Sequence, residues 1–210
     1  MNGHRPARGN PSREQNPAYG LLQPIIIAMT DNSVWKYALQ NLEQRFAALP
    51  GASVLRLNRL FDDYCSAKAV MDRITRAAGS GPLCHDCGGQ CCLNGKYRIN
   101  GLDALVMIAS GTPVPDPDFS RKPLCPYGHE NGCSMEPRFR PASCVQFICE
   151  PLAALLPIAA ETSLAHEERS LRELISRSES LSGLPLGLPL LLWGEQQLRG
   201  VPEPPGADII

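Results

Sequence analysis

Apolar side chains recur three and four positions apart in two long stretches near the start of the chain, at residues 33–49 and 53–78. This spacing places them on one face of an α-helix. Pro50 and Gly51 separate the two stretches, and Gly79 opens a glycine- and proline-containing break after the second. We therefore predict two helices that pack against each other as a hairpin. The first helix is expected to be capped by Asp31, Asn32 or Ser33.

The later stretches of the chain predict shorter elements. A helix is expected from Leu102 to Ser110, with Asn100 and Asp103 near a capping-box arrangement at its start. Another short helix is predicted from Pro151 to Pro157. A longer one is predicted to start at Thr162 or Ser163 and to carry Leu164, Leu171, Leu174, Ile175 and Leu181 on one face.

Composition and charge limit the classes of protein that this chain can belong to. Of its 210 residues, 43% are hydrophobic and 20% charged, so it can bury a core. The formal net charge of −1 gives no overall positive field for nucleic acid or an anionic membrane. No apolar run reaches the roughly 20 residues of a spanning helix, and the N-terminus lacks a secretory signal. We expect a cytoplasmic protein whose nine cysteines stay reduced.

Eight of the nine cysteines are concentrated in one third of the chain, where residues 123–149 show no helical period. The first four form a CxxCxxxCC pattern, in which Cys84 and Cys87 are spaced to face one metal centre. Gly88 and Gly89 relieve the steric cost of the left-handed backbone that such a turn needs. The predicted metal ligands are Cys84, Cys87, Cys91, Cys92, Cys125, Cys133, Cys144 and Cys149.

Eight thiols suit two four-coordinate sites, or one cluster together with one zinc ion. The adjacent Cys91 and Cys92 are difficult to direct at one ion, so they serve different metals or different edges of one cluster. Disulfides and unreactive buried thiols are the alternatives to metal binding. We expect Cys65, in the second predicted helix, to pack as a small hydrophobic residue.

The chain resembles the YkgJ-type cysteine-cluster proteins, which are described as carrying a zinc- or iron-chelating domain. The resemblance rests on the CxxCxxxCC pattern and on Cys125-Pro126-Tyr127, Gly132-Cys133 and the run from Arg140-Pro141 to Cys144. It implies a metal-binding module over roughly Leu83 to Pro151. The family usually has a hydrophobic–aromatic pair where this chain has Ser134-Met135-Glu136. Flagellin lysine methylases, by distant resemblance only, imply a metal-dependent protein-modifying enzyme as an alternative.

The identity of the metal is predicted from the spacing of its ligands. Structural zinc sites usually pair two CxxC turns, whereas this chain has one, followed by irregular spacings and by Cys125-Pro126. These features favour an iron–sulfur cluster, with zinc as the alternative. We predict a redox, sensing or binding module; the rival hypotheses are a methylase-like enzyme and a purely structural zinc-binding module. The sequence does not indicate a protein partner.

Charged residues beside the cysteines are expected to tune the site. His85 and His129 are predicted to donate hydrogen bonds to thiolates or to face solvent. Four thiolates on a divalent centre leave a negative charge that nearby cations offset. The predicted cations are Arg121, Lys122, Arg138 and Arg140. Nucleic-acid binding by this group is not expected, because the net charge of the chain gives no overall positive field.

Together these patterns predict a mainly α, small helical protein with a loop-rich, metal-stapled cysteine module. The predicted divisions are a flexible tail over residues 1–20, an N-terminal helical region over 21–82, the cysteine module over 83–151, and a C-terminal helix with a Pro/Leu-rich tail over 152–210. The apolar run 21–29 is predicted to be a strand or a strip lying on the core.

Overall fold

A computed structural model of the protein describes residues 29–93, 95–129 and 132–200, and these residues are mainly helical, as predicted. The helices are α1 (Asp31–Ala47), α2 (Gly51–Ala77), α3 (Ser80–Asp86), α4 (Gly101–Ala109), α5 (Ala142–Val145), α6 (Glu150–Ala153), α7 (Ile158–Ser182) and α8 (Leu190–Leu198). Two short antiparallel strands, β1 (Gly128–His129) and β2 (Gly132–Cys133), were not predicted. The predicted flexible tail, and the apolar run apart from Met29, lie outside the described residues.

The two longest helices, α2 and α7, pack along each other. Arg56 near the start of α2 and Arg177 near the end of α7 line one groove, so the two helices run antiparallel. Leu57 and Tyr64 of α2 and Leu171 of α7 are fully buried. No helix in the described part of the chain is both long enough and apolar enough to cross a lipid bilayer.

The prediction that α1 and α2 pack against each other as a hairpin is wrong, because α1 packs mainly against α8 and α2 packs mainly against α7. Gly194 allows the close approach of α8 to α1: a Cβ at this position would lie 2.9 Å from the Cβ of Ala38. The helices α1 and α2 meet at Phe46 and Phe61, whose ring centroids are 6.3 Å apart. Helices from the far end of the chain therefore cover the apolar faces that the sequence pattern paired locally.

Helix α4 lies inside the molecule, with every residue from Gly101 to Met107 buried. Its predicted capping box is confirmed: Asn100 Oδ1 accepts from the N–H of Asp103 over 2.7 Å, and Asp103 Oδ2 accepts from the N–H of Asn100 over 3.4 Å. The segment before α8 also packs here, since the N–H of Leu102 donates to the carbonyl oxygen of Leu186 over 2.9 Å. Helix α4 thus contacts both α1 and the segment that leads into α8.

Several predicted helix boundaries are corrected. Thr30 caps α1, because its hydroxyl oxygen accepts from the N–H of Ser33. Helix α7 begins at Ile158, directly after a proline, so Thr162 and Ser163 lie inside it and do not cap it. Their hydroxyls donate to carbonyl oxygens one turn earlier in the same helix.

Candidate metal centre

The first cysteines lie on short helical turns directly after α2. Cys84 is in α3 and Cys87 follows that helix, with the Cys87 Sγ donating to the carbonyl oxygen of Cys84 over 3.4 Å. Gly88 and Gly89 then have φ angles of +62° and +76°. This is the left-handed backbone that favours glycine, as the sequence predicts. The chain turns back here into a 3₁₀-helix, Gln90–Cys92, that carries the next two cysteines.

A backbone hydrogen bond links Cys125 to Cys92. The N–H of Cys125 donates to the carbonyl oxygen of Cys92 over 2.8 Å, and the flanking Leu93 and Leu124 form an antiparallel bridge. Gly95 lies against this junction. A Cβ at Gly95 would lie 2.6 Å from the Cβ of Cys125 and 3.0 Å from its Sγ, so a side chain does not fit there.

The pairing of β1 with β2 brings Cys133 back to Cys125. Gly128 pairs with Cys133 across the two strands, and the N–H of Gly128 donates to the carbonyl oxygen of Cys125 over 2.8 Å. The N–H of Met135 donates to the Sγ of Cys133 over 3.4 Å. Hydrogen bonds to sulfur of this kind tune metal-bound thiolates.

The last two cysteines are carried by α5 and by the residue before α6. Cys144 lies in α5, where the hydroxyl of Ser143 donates to the carbonyl oxygen of Arg98 over 3.1 Å. Cys149 directly precedes α6, and α6 contacts α3. The chain therefore carries Cys149 back towards the helix that holds Cys84.

The thiol of Cys84 has three other thiols as electrostatic neighbours. Although Cys84 is an exposed residue, the protein atoms around its thiol raise its pKa, and Cys91, Cys87 and Cys149 raise it further. Neighbouring thiolates have this effect because like charges disfavour ionisation. Cys84 and Cys87 are both exposed, so this neighbourhood, consisting of Cys84, Cys87, Cys91 and Cys149, reaches the molecular surface.

A second neighbourhood surrounds Cys92. Burial raises the pKa of Cys92 to about 12, with Cys91, Cys125 and Cys133 contributing. Burial also raises the pKa of Cys125, and Cys133 adds to this rise. Cys144 is an exposed residue, yet the protein atoms around its thiol raise its pKa to about 12, with further contributions from Cys125 and Cys133.

Two arginines are electrostatic neighbours of these thiols. Arg140, which the sequence singled out, opposes the rise in the pKa of Cys84. Arg98 was not among the predicted cations. It opposes the rise in the pKa of Cys125 and in that of Cys144, and it donates to the carbonyl oxygen of Cys91 over 2.9 Å. The other predicted cations have different contacts: Arg121 pairs with Asp118, Lys122 with Asp31, and Arg138 lies over the ring of Phe139.

The donor chemistry of these residues suits a soft metal centre, although the sulfurs do not surround one point. All nine cysteines are free thiols. Over residues 29–93, 95–129 and 132–200, no three His, Cys, Asp or Glu side chains come close enough together to hold a metal ion as they stand. Groups of thiols with nearby cations and an N–H donor are nevertheless the ligand type that zinc and iron–sulfur clusters take.

The remaining predicted residues are placed as follows. Cys65 is 8% exposed and belongs to the hydrophobic core, as predicted. His85 is exposed on α3, which agrees with a histidine that faces solvent. The side chain of His129 lies outside the described residues.

A buried polar cluster, which we call the polar joint, consists of Tyr64, Lys68 and Asp103. Lys68 and Asp103 are each 1% exposed. The Lys68 Nζ lies 3.1 Å from Asp103 Oδ1 and donates to the carbonyl oxygen of Arg140 over 2.9 Å. Asp103 Oδ1 also accepts from the Tyr64 hydroxyl over 2.9 Å and from the N–H of Ala142 over 3.2 Å.

The polar joint ties α2 and α4 to the backbone just before Cys144. Sequence reasoning assigned Asp103 to a capping box and overlooked Lys68. The available signal was a lysine one helical turn after Tyr64 and three residues before Met71, on the apolar face of α2. A buried charge is costly unless it is paired, so a lysine at this position predicts a buried carboxylate partner.

Two cavities lie away from the cysteines. A groove of about 650 Å³ between α2 and α7 is lined by residues that include Arg56, Arg59 and Arg177. A second cavity lies beside the start of α1 and is lined in part by Asp31 and Lys122. Neither has a cysteine in its lining.

Comparison of the chain with protein-family models, with curated proteins and with solved structures gives no match. The geometry of the cysteines and the chemistry of their surroundings are therefore the basis for a functional proposal.

Proposed function

We propose that this chain is a metal-binding protein whose clustered cysteines hold an iron–sulfur cluster or zinc, and that it serves as a redox, sensing or binding module. The observation that carries the proposal is that backbone contacts join cysteine-bearing segments that are distant in sequence. Cys92 and Cys125 share a backbone hydrogen bond, and α6, which begins next to Cys149, contacts α3.

The residues around the thiols are suited to a centre that carries negative charge. Four thiolates on a divalent centre leave about −2, which Arg98 and Arg140 offset. The N–H of Met135 donates to the Cys133 sulfur. An iron–sulfur cluster supplies one-electron transfer when bound, whereas zinc supplies a structural cross-link.

We favour the iron–sulfur cluster because the chain has a single CxxC turn and a Cys125-Pro126 pair. The eight cysteines from Cys84 to Cys149 are the proposed ligands. Free thiols fit a reducing compartment such as the cytoplasm. No observation in the described residues favours the methylase-like alternative.

Anaerobic purification followed by an absorption spectrum and metal analysis tests the proposal. Thiolate-to-iron charge transfer should make the protein brown, with absorption at about 400 nm that dithionite bleaches. Cys87→Ser should weaken the colour, because a serine oxygen is a poorer ligand for soft iron. Cys65→Ser is the matched control and should leave the colour unchanged.

Two results would overturn parts of this proposal. A colourless protein with stoichiometric zinc, purified under iron-replete conditions, would decide for structural zinc. A protein that contains neither metal, and that takes up neither when reconstituted, would refute metal binding altogether.

A further inference from the structure

The groove between α2 and α7, which we call the arginine groove, is separate from the cysteines, since none of them lines it. We propose that this groove binds a small organic phosphate, that is, a phosphate monoester of an aliphatic or sugar molecule. The proposal goes beyond metal binding and does not depend on it. It rests on three arginines that two helices bring to one concave surface.

The two longest helices of the protein hold these arginines in place. Arg56 and Arg59 lie three residues apart in α2, and side chains at this spacing have Cβ atoms about 5–6 Å apart on one face of a helix. Arg177 lies in α7 and lines the same groove. Because α2 and α7 pack along each other, the side chains from both helices converge without any rearrangement of the backbone.

The arginines of the groove have no acidic partner in the protein. Within the part of the chain that the structure describes, Arg56, Arg59 and Arg177 form neither an ion pair nor a side-chain hydrogen bond. All three are exposed, so their donors point into solvent. Like charges at neighbouring helical positions repel each other, and an anion bound between them would remove that repulsion.

The charge of the groove matches that of a phosphate monoester. Three arginines against the single lining carboxylate, that of Asp63, give the lining a formal charge of +2. A phosphate monoester carries about −1.5 to −2 at pH 7, whereas one carboxylate carries half of that. Guanidinium groups donate paired hydrogen bonds to phosphate oxygens. The hydroxyls of Ser53 and Ser180, which also line the groove, are additional donors.

The remaining lining indicates what the phosphate is attached to. Leu60, which is 5% exposed, and the half-buried Leu181 give the groove apolar surface. Its described lining contains no aromatic side chain, so a nucleobase would find no ring on which to stack. The volume of about 650 Å³ lies within the range of small-molecule sites. These features favour an aliphatic or sugar phosphate over a nucleotide.

Nuclear magnetic resonance of the arginine side chains in the ¹⁵N-labelled full-length chain tests the proposal. The probes are inorganic phosphate, glucose 6-phosphate and glucose. Both phosphates should shift the Nε–H signals of Arg56, Arg59 and Arg177, with tighter binding of glucose 6-phosphate, whereas glucose alone should shift none. Arg73 of α2 and Arg169 of α7 are exposed and lie outside the groove, so their signals should stay in place.

A matched pair of substitutions in α7 assigns the binding to the groove. Arg177→Gln should weaken the binding of glucose 6-phosphate by about tenfold or more, because a hydrogen bond between charged groups is lost. Arg169→Gln removes an exposed arginine of the same helix outside the groove and should bind like the wild type. Both variants should keep the circular dichroism spectrum of the wild type, since both side chains are exposed.

Several results would overturn the proposal. These are the absence of shifts at the groove arginines with either phosphate, equal shifts at Arg73 and Arg169, and full affinity in Arg177→Gln. Equal affinities for inorganic phosphate and glucose 6-phosphate would assign the groove to an inorganic anion. Sedimentation with phosphatidylcholine vesicles that contain phosphatidic acid, if Arg177→Gln abolished it, would assign the groove to a lipid headgroup. Each of these results would leave metal binding by the cysteines unaffected.

Discussion

The helices α1, α2, α4, α7 and α8, which we call the helical body, differ sharply from the cysteine segments at residues 80–98 and 118–153. Long helices of the body bury large apolar residues such as Leu57 and Leu171 completely. The cysteine segments contain helices of seven residues or fewer and strands of two residues. Burial of apolar area stabilises the first region. The second cysteine segment also contributes buried side chains to the core, among them Tyr127, Phe139 and Val145, but its regular structure is sparse. The comparison teaches that the proposed metal should matter most in the cysteine segments and least in the helical body.

The polar joint connects these two regions. Lys68 belongs to α2 and Asp103 to α4, and together they bind the backbone of Arg140 and Ala142 in the second cysteine segment. A second connection is made by Lys96, which pairs with Asp31 of α1 over 2.8 Å and with Glu195 of α8 over 3.3 Å. The body thus holds the cysteine segments by charge pairs as well as by packing.

The largest expected effect comes from breaking the polar joint. Asp103→Ala leaves the Lys68 ammonium group buried without its carboxylate. We expect the free energy of unfolding to fall by about 3–5 kcal/mol, measured by urea denaturation followed by circular dichroism. The matched control is Glu168→Ala, which removes an exposed pair with Arg172 and should change stability by about 0.5 kcal/mol or less. Equal effects of the two substitutions would show that the joint does not stabilise the fold.

A core substitution tests whether the stability of the helical body depends on the proposed metal. Leu171→Ala should lower the free energy of unfolding by about 2–5 kcal/mol because it opens a cavity in a fully buried site. The loss should be the same with and without metal, since α7 lies in the body. Ile158→Ala, at a side chain that is 82% exposed, is the control and should have little effect. A Leu171→Ala loss that depends on metal would contradict the division into two regions.

A smaller effect is expected at Gly95, inside the first cysteine segment. Gly95→Ala places a methyl group against Cys125, and overpacking of this kind costs about 1–3 kcal/mol. Gly81→Ala is the matched control, because a Cβ at Gly81 meets nothing within 4 Å. The midpoint temperature of thermal unfolding and the affinity of the thiols for added Co²⁺ should both fall for Gly95→Ala only. If the two glycine variants behaved alike, the close contact with Cys125 would be without consequence.

The sequence predicts the body better than it predicts the cysteine segments. The apolar stripe that includes Trp35 and Leu42 marks α1, because helical spacing is a local property. Helix α8 was missed because prolines and glycines from Gly183 onwards obscure the short helix that follows them. The pairing of α2 with α7 was missed because an apolar stripe does not specify which distant helix covers it.

The cysteine segments show the limit of spacing arguments more clearly. Spacing correctly indicated a left-handed turn at Gly88 and Gly89. It did not indicate that Cys149 returns to α3 and Cys144 to Cys125, because these relations depend on tertiary contacts of α5 and α6. Arg98 was overlooked for the same reason, since its neighbours Cys125 and Cys144 are distant in sequence.

Amide hydrogen exchange with and without metal tests the central claim most directly. Metal is removed from the full-length chain by chelation, or a cluster by oxidation, and peptides from both regions are compared. We predict that the cysteine segments lose their protection, whereas α2 and α7 retain part of theirs. Unchanged protection over residues 83–150 in metal-free protein would contradict the account.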